Sequence, residues 1–163
     1  MDLASMFFMI EIIKVETDYH IRSAQELLLE YATVLGLDLS FQDFEREVND
    51  LEKVYSEPDG QMFLALFDGQ LAGCAALRKL SDGICEMKRL YVRGSFRGRK
   101  VGFRLIETII GIAREAGFGK MRLDTDSSKM GRALDLYLSI GFQEIAPYYA
   151  NPNITAVYLE LEL

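Results

Sequence analysis

The segment at residues 86–108 constrains the fold of this chain most strongly, because it reads in order as a strand, a basic turn and a helix. Its first part contains the β-forming run Leu90, Tyr91 and Val92. The turn that follows carries three glycines spaced four apart among arginines and a lysine: Gly94, Gly98 and Gly102. Beyond it, apolar residues recur at helical spacing, namely Leu105, Ile106, Ile109, Ile110 and Ala113.

A glycine-bearing turn between a strand and a helix start predicts an anion site. The first N–H groups of a helix have no intrahelical acceptor, and the helix dipole favours negative charge there. Glycine lets a phosphate approach the backbone closely. The dinucleotide fingerprint G-x-G-x-x-G and the Gly-Lys-Ser/Thr ending of a nucleotide-triphosphate loop are both absent from this segment. The turn therefore predicts phosphate binding of another kind.

The charge distribution supports a small anionic ligand. The chain has a net charge of −7, yet residues 88–104 contain only basic charges. These are Lys88, Arg89, Arg93, Arg97, Arg99, Lys100 and Arg104. A basic cluster on an acidic protein fits a small polyanion better than nucleic acid, which usually needs a broad basic face. The alternative interpretation is a basic loop that is exposed to solvent and binds no ligand.

Length and composition indicate one soluble domain over residues 1–163. Two cysteines, Cys74 and Cys85, are too few for a disulfide framework and favour the cytoplasm. The N-terminal segment has an apolar run without a basic region before it, so we expect no signal peptide. No run reaches the length of a membrane span, and we expect no membrane partner.

Hydrophobic periodicity and turn residues predict the order β-α-α-β-β-β-α-β-α-β-β. The strands are expected at residues 7–16, 62–67, 71–80, 84–92, 120–124, 141–146 and 155–162. The helices are expected at residues 20–35, 40–56, 98–116 and 129–139, with Ser40 as an N-cap and Gly36 as a C-cap. Asp68-Gly69 predicts a type I′ hairpin turn. Because a helix separates strands 84–92 and 120–124, they should be parallel neighbours in a mixed α/β sheet.

The turn resembles the acyl-CoA signature Q/R-x-x-G-x-G/A of the GNAT superfamily of N-acyltransferases. That pattern covers Arg97, Gly98, Arg99, Lys100, Val101 and Gly102, with Lys100 where the family usually has glycine. A second GNAT signature, A-x-x-L-Y-x-x-x-G-F, is matched at Ala133, Leu136, Tyr137, Gly141 and Phe142. The family's usual asparagine three residues before this alanine is Met130 here. The predicted element order is also that of the GNAT fold, with a splayed pair of parallel strands.

The resemblance implies acetyl-CoA as co-substrate and no metal. The strand at Leu90, Tyr91 and Val92 would form hydrogen bonds to the pantetheine arm of the co-substrate. Backbone N–H groups of the turn and helix start would hold the pyrophosphate, at Arg97, Gly98, Arg99, Lys100, Val101, Gly102 and Phe103. Tyr137 takes the family position of the general acid, and Glu86 is the candidate general base, acting directly or through water. The implied reaction is direct acetyl transfer in a ternary complex to the primary amine of a small molecule.

Other interpretations of these residues remain open. Tyr137 also fits an ordinary core tyrosine, and Glu86 a solvated strand carboxylate. The departures at Lys100 and Met130 also fit a non-catalytic module that binds acyl-CoA or a protein partner on the same fold. Nucleic-acid binding through the basic cluster is a third hypothesis, which the acidic remainder disfavours. Family members are commonly dimers, so the resemblance favours a homodimer.

Several further residues have two interpretations each. Asp124 and Asp126 resemble a metal-binding pair, but an acidic strand end is favoured because no other ligands cluster there. His20 is interpreted as a capping or surface residue, and Cys85 as a small buried residue. Tyr148, Tyr149 and Asn151 fit either the lining of an acceptor pocket or a packed turn.

Overall fold

The computed structural model describes residues 8–36 and 38–163, without the side chain of Phe41. It contains seven strands: β1 (Ile10–Lys14), β2 (Gly60–Phe67), β3 (Gln70–Ser81), β4 (Ile84–Val92), β5 (Lys120–Asp126), β6 (Gln143–Ile145) and β7 (Ala156–Glu162). The helices are α1 (Asp18–Leu35), α2 (Phe44–Asn49), α3 (Leu51–Val54), α4 (Val101–Glu115) and α5 (Gly131–Ile140). The predicted element order is confirmed except that two short helices replace the single helix predicted at residues 40–56, and short 3-10 turns lie at Ser40–Gln42 and Gly94–Phe96.

The strands form one mixed sheet in the order β1-β2-β3-β4-β5-β7-β6. The β4–β5 pair is parallel as predicted, and the other described pairs are antiparallel. The hairpin at Asp68-Gly69 has positive φ at both residues, 46° and 80°, as a type I′ turn requires. The α/β prediction for the fold is therefore confirmed.

Helices cover both faces of the sheet. One face buries the apolar stripe of α4, which contains Leu105, Ile106 and Ile109, mainly against β3 and β4, and α5 packs on the same side. The opposite face packs against α1, α2 and α3 through Leu27, Leu28 and other buried residues. No helix among the described residues is long and apolar enough to cross a membrane.

Two boundaries differ from the predictions. The predicted single helix over residues 40–56 is a 3-10 turn followed by two short helices, because Asp43 has φ 55° and breaks the helical path. Ser40 is not an N-cap: its hydroxyl donates to Asp38, at 2.7 Å, and no side-chain capping bond forms. The first strand begins at Ile10, and the predicted start at residue 7 lies outside the described residues. The apolar pattern of the helix predicted at 40–56 also predicts a buried Phe41 side chain, which is likewise outside the described part of the structure.

Candidate active site

The two parallel strands β4 and β5 pair only at their beginnings. Their register joins Ile84 to Lys120, Cys85 to Met121 and Glu86 to Arg122, and no further pair follows among the described residues. From there β4 runs on beside β3, whereas β5 runs on beside β7. The sheet therefore opens between the two strands, and the edge of β4 beyond Glu86 faces a gap.

A β-bulge at Arg89 reorients the end of β4. Arg89 has φ 61°, and the β3–β4 register shifts between the pairs Cys74–Tyr91 and Ala76–Lys88. An extra residue in one strand twists it and changes which side chains face each side. As a result Leu90 joins the α4 side of the core, whereas the Tyr91 side chain packs on the α1 side.

The gap forms one end of a cleft of about 720 Å³. Its walls come from the end of β4, the basic turn, the first turn of α4 and the start of α5. The lining residues are Leu35, Leu90, Tyr91, Val92, Phe96, Arg97, Gly98, Lys100, Val101, Gly102, Phe103, Lys129, Met130, Gly131, Arg132, Ala133 and Leu136. Every predicted cofactor-binding residue except Arg99 is among them.

The basic turn has the backbone conformation that its glycines suggest. Gly98 has φ 76°, and Lys100 has φ 65° immediately before α4 begins. Lysine at the family's glycine position therefore adopts the left-handed conformation that glycine would adopt more easily. The first intrahelical bond of α4 is donated by Arg104 to the carbonyl of Lys100. The amides of Val101, Gly102 and Phe103 thus have no helical acceptor, and these residues line the cleft.

The basic cluster of the sequence does not act as one unit. Arg93 lies between Glu26 and Glu30, with N–O distances of 2.7 and 3.0 Å. The Arg99 guanidinium lies over the rings of Phe8 and Phe67, at 5.7 and 5.2 Å, and does not line the cleft. The prediction of one basic patch facing a single ligand is therefore wrong for these side chains, because acidic and aromatic partners from distant segments bind them.

Two cleft cations were not predicted as site residues. Lys129 and Arg132 flank the start of α5 and line the cleft opposite the basic turn. The Lys129 ammonium group donates to the carbonyl of Gly36, at 2.8 Å. Their only sequence signal is a position next to the second GNAT signature, because their contact with the cleft depends on how α5 packs beside α4.

A second, smaller cavity of about 60 Å³ adjoins the cleft. The two spaces share Leu90 and Met130 as lining residues. The remaining lining residues of the small cavity are Tyr31, Leu39, Gln42, Met87, Lys88, Arg89, Asp124, Thr125, Asp126, Tyr137 and Asn153. Its lining combines Tyr31 and Leu39 from the α1 side of the core with Met87 and Tyr137 from the α4 side.

Tyr137 lines this small cavity rather than the larger cleft. Its ring is buried and packs edge-on against Phe142, with centroids 5.5 Å apart. Burial raises the pKa of its phenol well above the ordinary value, so the hydroxyl carries a proton at neutral pH. Within the described residues the hydroxyl forms no hydrogen bond to the protein. It is therefore a protonated donor near the junction of the two spaces.

Glu86 is buried and engaged by two donors. Its carboxylate accepts a bond from the Arg78 guanidinium, at 2.8 Å, and one from the Tyr148 hydroxyl, at 2.7 Å. Glu86 lines neither the cleft nor the small cavity. It is not the solvated strand carboxylate of the alternative interpretation, because only 2% of the residue is exposed. Its role as general base stays a prediction.

The loop between β6 and β7 contacts the end of β5 and the 3-10 turn at Ser40–Gln42 through Tyr149. The Tyr149 hydroxyl donates to Asp124, at 2.7 Å, and accepts a bond from Gln42, at 3.0 Å. Burial raises the pKa of Asp124, and the bond from Tyr149 opposes that rise. Tyr148 and Tyr149 both pack against Tyr158. Among the described residues no three His, Cys, Asp or Glu side chains are grouped to hold a metal ion.

Comparisons with known proteins agree with this geometry. The family model described as "Acetyltransferase (GNAT) family" matches residues 21–142. An uncharacterized N-acetyltransferase of Schizosaccharomyces pombe is 40% identical over 139 residues, which are 84% of this chain and 85% of the relative. A GNAT-family acetyltransferase structure from Staphylococcus aureus superposes with a TM-score of 0.78 at 21% identity, covering 94% of this chain and 99% of the other.

A second solved structure was determined with a ligand. The PaiA N-acetyltransferase from Thermoplasma acidophilum, in complex with coenzyme A, has a TM-score of 0.72 at 17% identity. The superposition covers 95% of this chain and 99% of that protein. Such low identity supports the fold alone, whereas the family model spans most of the present chain. The chain therefore belongs to the GNAT family of acetyltransferases.

Proposed function

We propose that this protein transfers an acetyl group from acetyl-CoA to the primary amine of a small molecule, by direct reaction in a ternary complex. The observation that carries the proposal is the opening between β4 and β5, which leads from the basic turn to the small cavity beside Tyr137. Acyl transfer from CoA is the activity of the GNAT family. The acetyl group, the amine and the direct mechanism are our proposal.

The cleft residues fit a CoA molecule chemically. The edge of β4 at Leu90, Tyr91 and Val92 offers backbone groups for the two amides of a pantetheine arm. The first-turn amides of α4 suit a pyrophosphate, because they point their partial positive charge towards the helix start. Cationic side chains on both walls would pair with the remaining phosphate charge, namely Arg97, Lys100, Lys129 and Arg132.

The small cavity then receives the acyl end of the co-substrate. A neutral amine attacks the thioester carbonyl, a C–N bond forms, and the C–S bond breaks. We assign Tyr137 as the acid that protonates the leaving thiolate, because its raised pKa keeps the phenol protonated. We assign Glu86 as the group that accepts the amine proton, through the Tyr148 hydroxyl or an intervening water. Both cysteines are buried thiols without a disulfide, which favours a reducing compartment such as the cytoplasm.

The test is release of CoA thiol from acetyl-CoA in the presence of a panel of small primary amines. Tyr137→Phe removes the hydroxyl and keeps the ring packed against Phe142, so we expect a fall in kcat of about 10²–10⁴-fold. Tyr19→Phe is the matched control, because Tyr19 is exposed on α1 and lines neither cavity. An unchanged kcat in Tyr137→Phe would contradict the assignment of the acid.

The same assay separates the enzyme from a non-catalytic binding module. A module would bind acetyl-CoA and release no thiol with any amine, in wild type and variant alike. The departure from the family's glycine at Lys100 is one argument for the binding module. In the structure Lys100 adopts the φ of 65° that glycine would adopt, and it lines the cleft, so this departure does not disfavour the enzyme. That the enzyme has no nucleic-acid or membrane partner and that it forms a homodimer both stay predictions.

A further inference from the structure

Lys88 is a half-buried cation that has no acidic partner within the described part of the chain. It lies on β4 between Glu86 and the bulge at Arg89. Among the described residues, no carboxylate oxygen lies within 4.0 Å of its ammonium group, and no hydrogen bond joins it to the protein. The neighbouring Arg89, by contrast, is fully paired with Glu47. A half-buried ammonium group is less well solvated than an exposed one and here has no carboxylate to compensate, so its position calls for a chemical reason.

The surroundings of Lys88 connect it to the acyl group. The side chain lines the cavity of about 60 Å³ that shares Leu90 and Met130 with the cleft. One water occupies about 30 Å³ in the liquid, so this space accommodates a group of roughly acetyl size. Tyr137, the assigned proton donor, lines the same cavity. An acyl thioester that enters from the cleft therefore meets the Lys88 amine and the Tyr137 hydroxyl together.

The electrostatic environment favours the neutral amine. Burial, together with the positive charges of Arg89 and Arg78, lowers the pKa of Lys88 to about 8, against the opposing effect of Glu86 and Glu47. The other titratable groups that line the same cavity are Asp124 and Asp126 on β5, Tyr31 on α1 and Tyr137 on α5. Desolvation and nearby cations are the conditions that activate lysine as a nucleophile.

We propose that Lys88 is a self-acylation site, at which the protein transfers the acyl group of bound acyl-CoA to its own side chain when no acceptor amine is present. This inference rests on the proposed function, since it requires acyl-CoA in the cleft. The neutral Nζ attacks the thioester carbonyl carbon, the N–C bond forms and the C–S bond breaks. The proton lost from nitrogen ends on the thiolate, which leaves as CoA thiol.

The product of this step has a defined consequence. The acylated lysine is an uncharged amide that fills the small cavity from within. An amide is too stable to pass its acyl group to an amine, so the modified protein is a blocked form and not a reaction intermediate. Self-acylation at Lys88 would therefore lower activity when acyl-CoA accumulates without acceptor.

The experiment is peptide mapping of the wild-type protein after incubation with acetyl-CoA and no amine. We expect an acetyl group on Lys88, with loss of tryptic cleavage after that residue, and no such product when excess free CoA competes. Lys53, which is exposed on α3, reports chemical acetylation in solution. Lys129 reports acetylation of a lysine that lines the larger cleft. Lys88→Arg keeps the charge and removes the nucleophilic amine. The peptide that contains position 88 should then carry no acetyl group, and preincubation with acetyl-CoA should no longer lower the activity with amines.

The pH dependence distinguishes the two kinds of lysine. For a pKa of about 8, the neutral fraction rises about tenfold between pH 7 and pH 9, whereas an exposed lysine of ordinary pKa gains about a hundredfold. We therefore expect Lys88 acetylation to rise about tenfold over this range and to exceed that of Lys53 most strongly at pH 7.

A melting curve of the same sample with acetyl-CoA separates the possible failures. If the protein is stabilised by acetyl-CoA but Lys88 stays unmodified at pH 9, the inference is overturned and the proposed function stands. If Lys88 is acetylated no faster than Lys53, the modification is solution chemistry and the inference is again overturned. If acetyl-CoA neither stabilises nor modifies the protein, the proposed function and this inference both fail.

Discussion

The buried ion pair between Glu47 and Arg89 offers the sharpest test of how the site is supported. The Arg89 guanidinium binds both carboxylate oxygens of Glu47, at 2.7 and 3.2 Å, and the Tyr55 hydroxyl donates to the same carboxylate, at 2.8 Å. The side chains of Arg89 and Glu47 are only 3% and 6% exposed. This pair joins α2 to the bulge that follows Lys88, and Arg89 lines the small cavity beside it.

Glu47→Leu should destabilise the protein by about 3–5 kcal/mol, because it leaves a buried guanidinium without a counter-charge. The Tyr55 hydroxyl loses its acceptor in the same change, which adds to the cost. Glu47→Gln should cost less, since its amide oxygen can still accept a hydrogen bond. The double change Glu47→Leu with Arg89→Met should recover most of the loss, because an apolar pair of similar volume avoids the desolvation of both charges.

Urea denaturation measures these differences. With a slope of about 1–3 kcal/mol per molar urea, Glu47→Leu should lower the midpoint by one molar or more. Glu52→Leu is the control: Glu52 is exposed on α3, and its change should stay within about 0.5 kcal/mol. A cost below about 1 kcal/mol for Glu47→Leu, or a double variant no more stable than the single one, would refute this reasoning.

Three further predictions concern backbone geometry and pH. Gly73→Ala should destabilise by about 1–3 kcal/mol, since its Cβ would lie 2.4 Å from the carbonyl oxygen of Tyr91; Gly111→Ala on α4, with open space around it, should be neutral or stabilising in the same denaturation assay. Lys100→Val should cost more stability than Lys100→Gly in thermal melting, because a β-branched residue at φ 65° is strained; equal melting temperatures would contradict this. Burial opposes ionisation of Asp126, but hydrogen bonds from neighbouring side chains outweigh it and hold its pKa at about 2. The ionised carboxylate should therefore contribute about 1–2 kcal/mol to the free energy of unfolding above pH 4, and this contribution is lost as the pH falls towards 2. Asp126→Asn should remove that part of the acid dependence of stability; an unchanged pH profile of stability in this variant would exclude the contribution.

Local sequence patterns predicted the parts of the fold that depend on neighbouring residues. The Asp68-Gly69 dipeptide alone predicts the type I′ turn, because both residues tolerate positive φ. The apolar residues of α4 recur on one face of the helix, and this periodicity alone predicts which face is buried. The helix predicted from Ser40 failed because its hydroxyl bonds Asp38 instead of capping, and Asp43 turns the chain before α2.

The charges of the site could not be predicted in the same way. Arg93 and Arg89 look available for phosphate in the sequence, yet their partners Glu30 and Glu47 are 63 and 42 residues away. Arg132 looks like an ordinary surface residue, yet the packing of α5 brings it to the cleft. These pairings depend on the tertiary fold, because no local pattern records which distant carboxylate reaches which guanidinium.

The measurement that tests the account most directly is thermal melting with and without acetyl-CoA. At 100 times its dissociation constant, the ligand should add about 2.7 kcal/mol, which corresponds to about 5–10 °C for a domain of this size. Arg97→Glu places a negative charge in the cleft and should abolish the shift, whereas Arg104→Glu, on an exposed position of α4 outside the cleft, should retain most of it. The account predicts this pattern; an unshifted wild-type protein, or equal shifts in both variants, would contradict binding of acyl-CoA in this cleft.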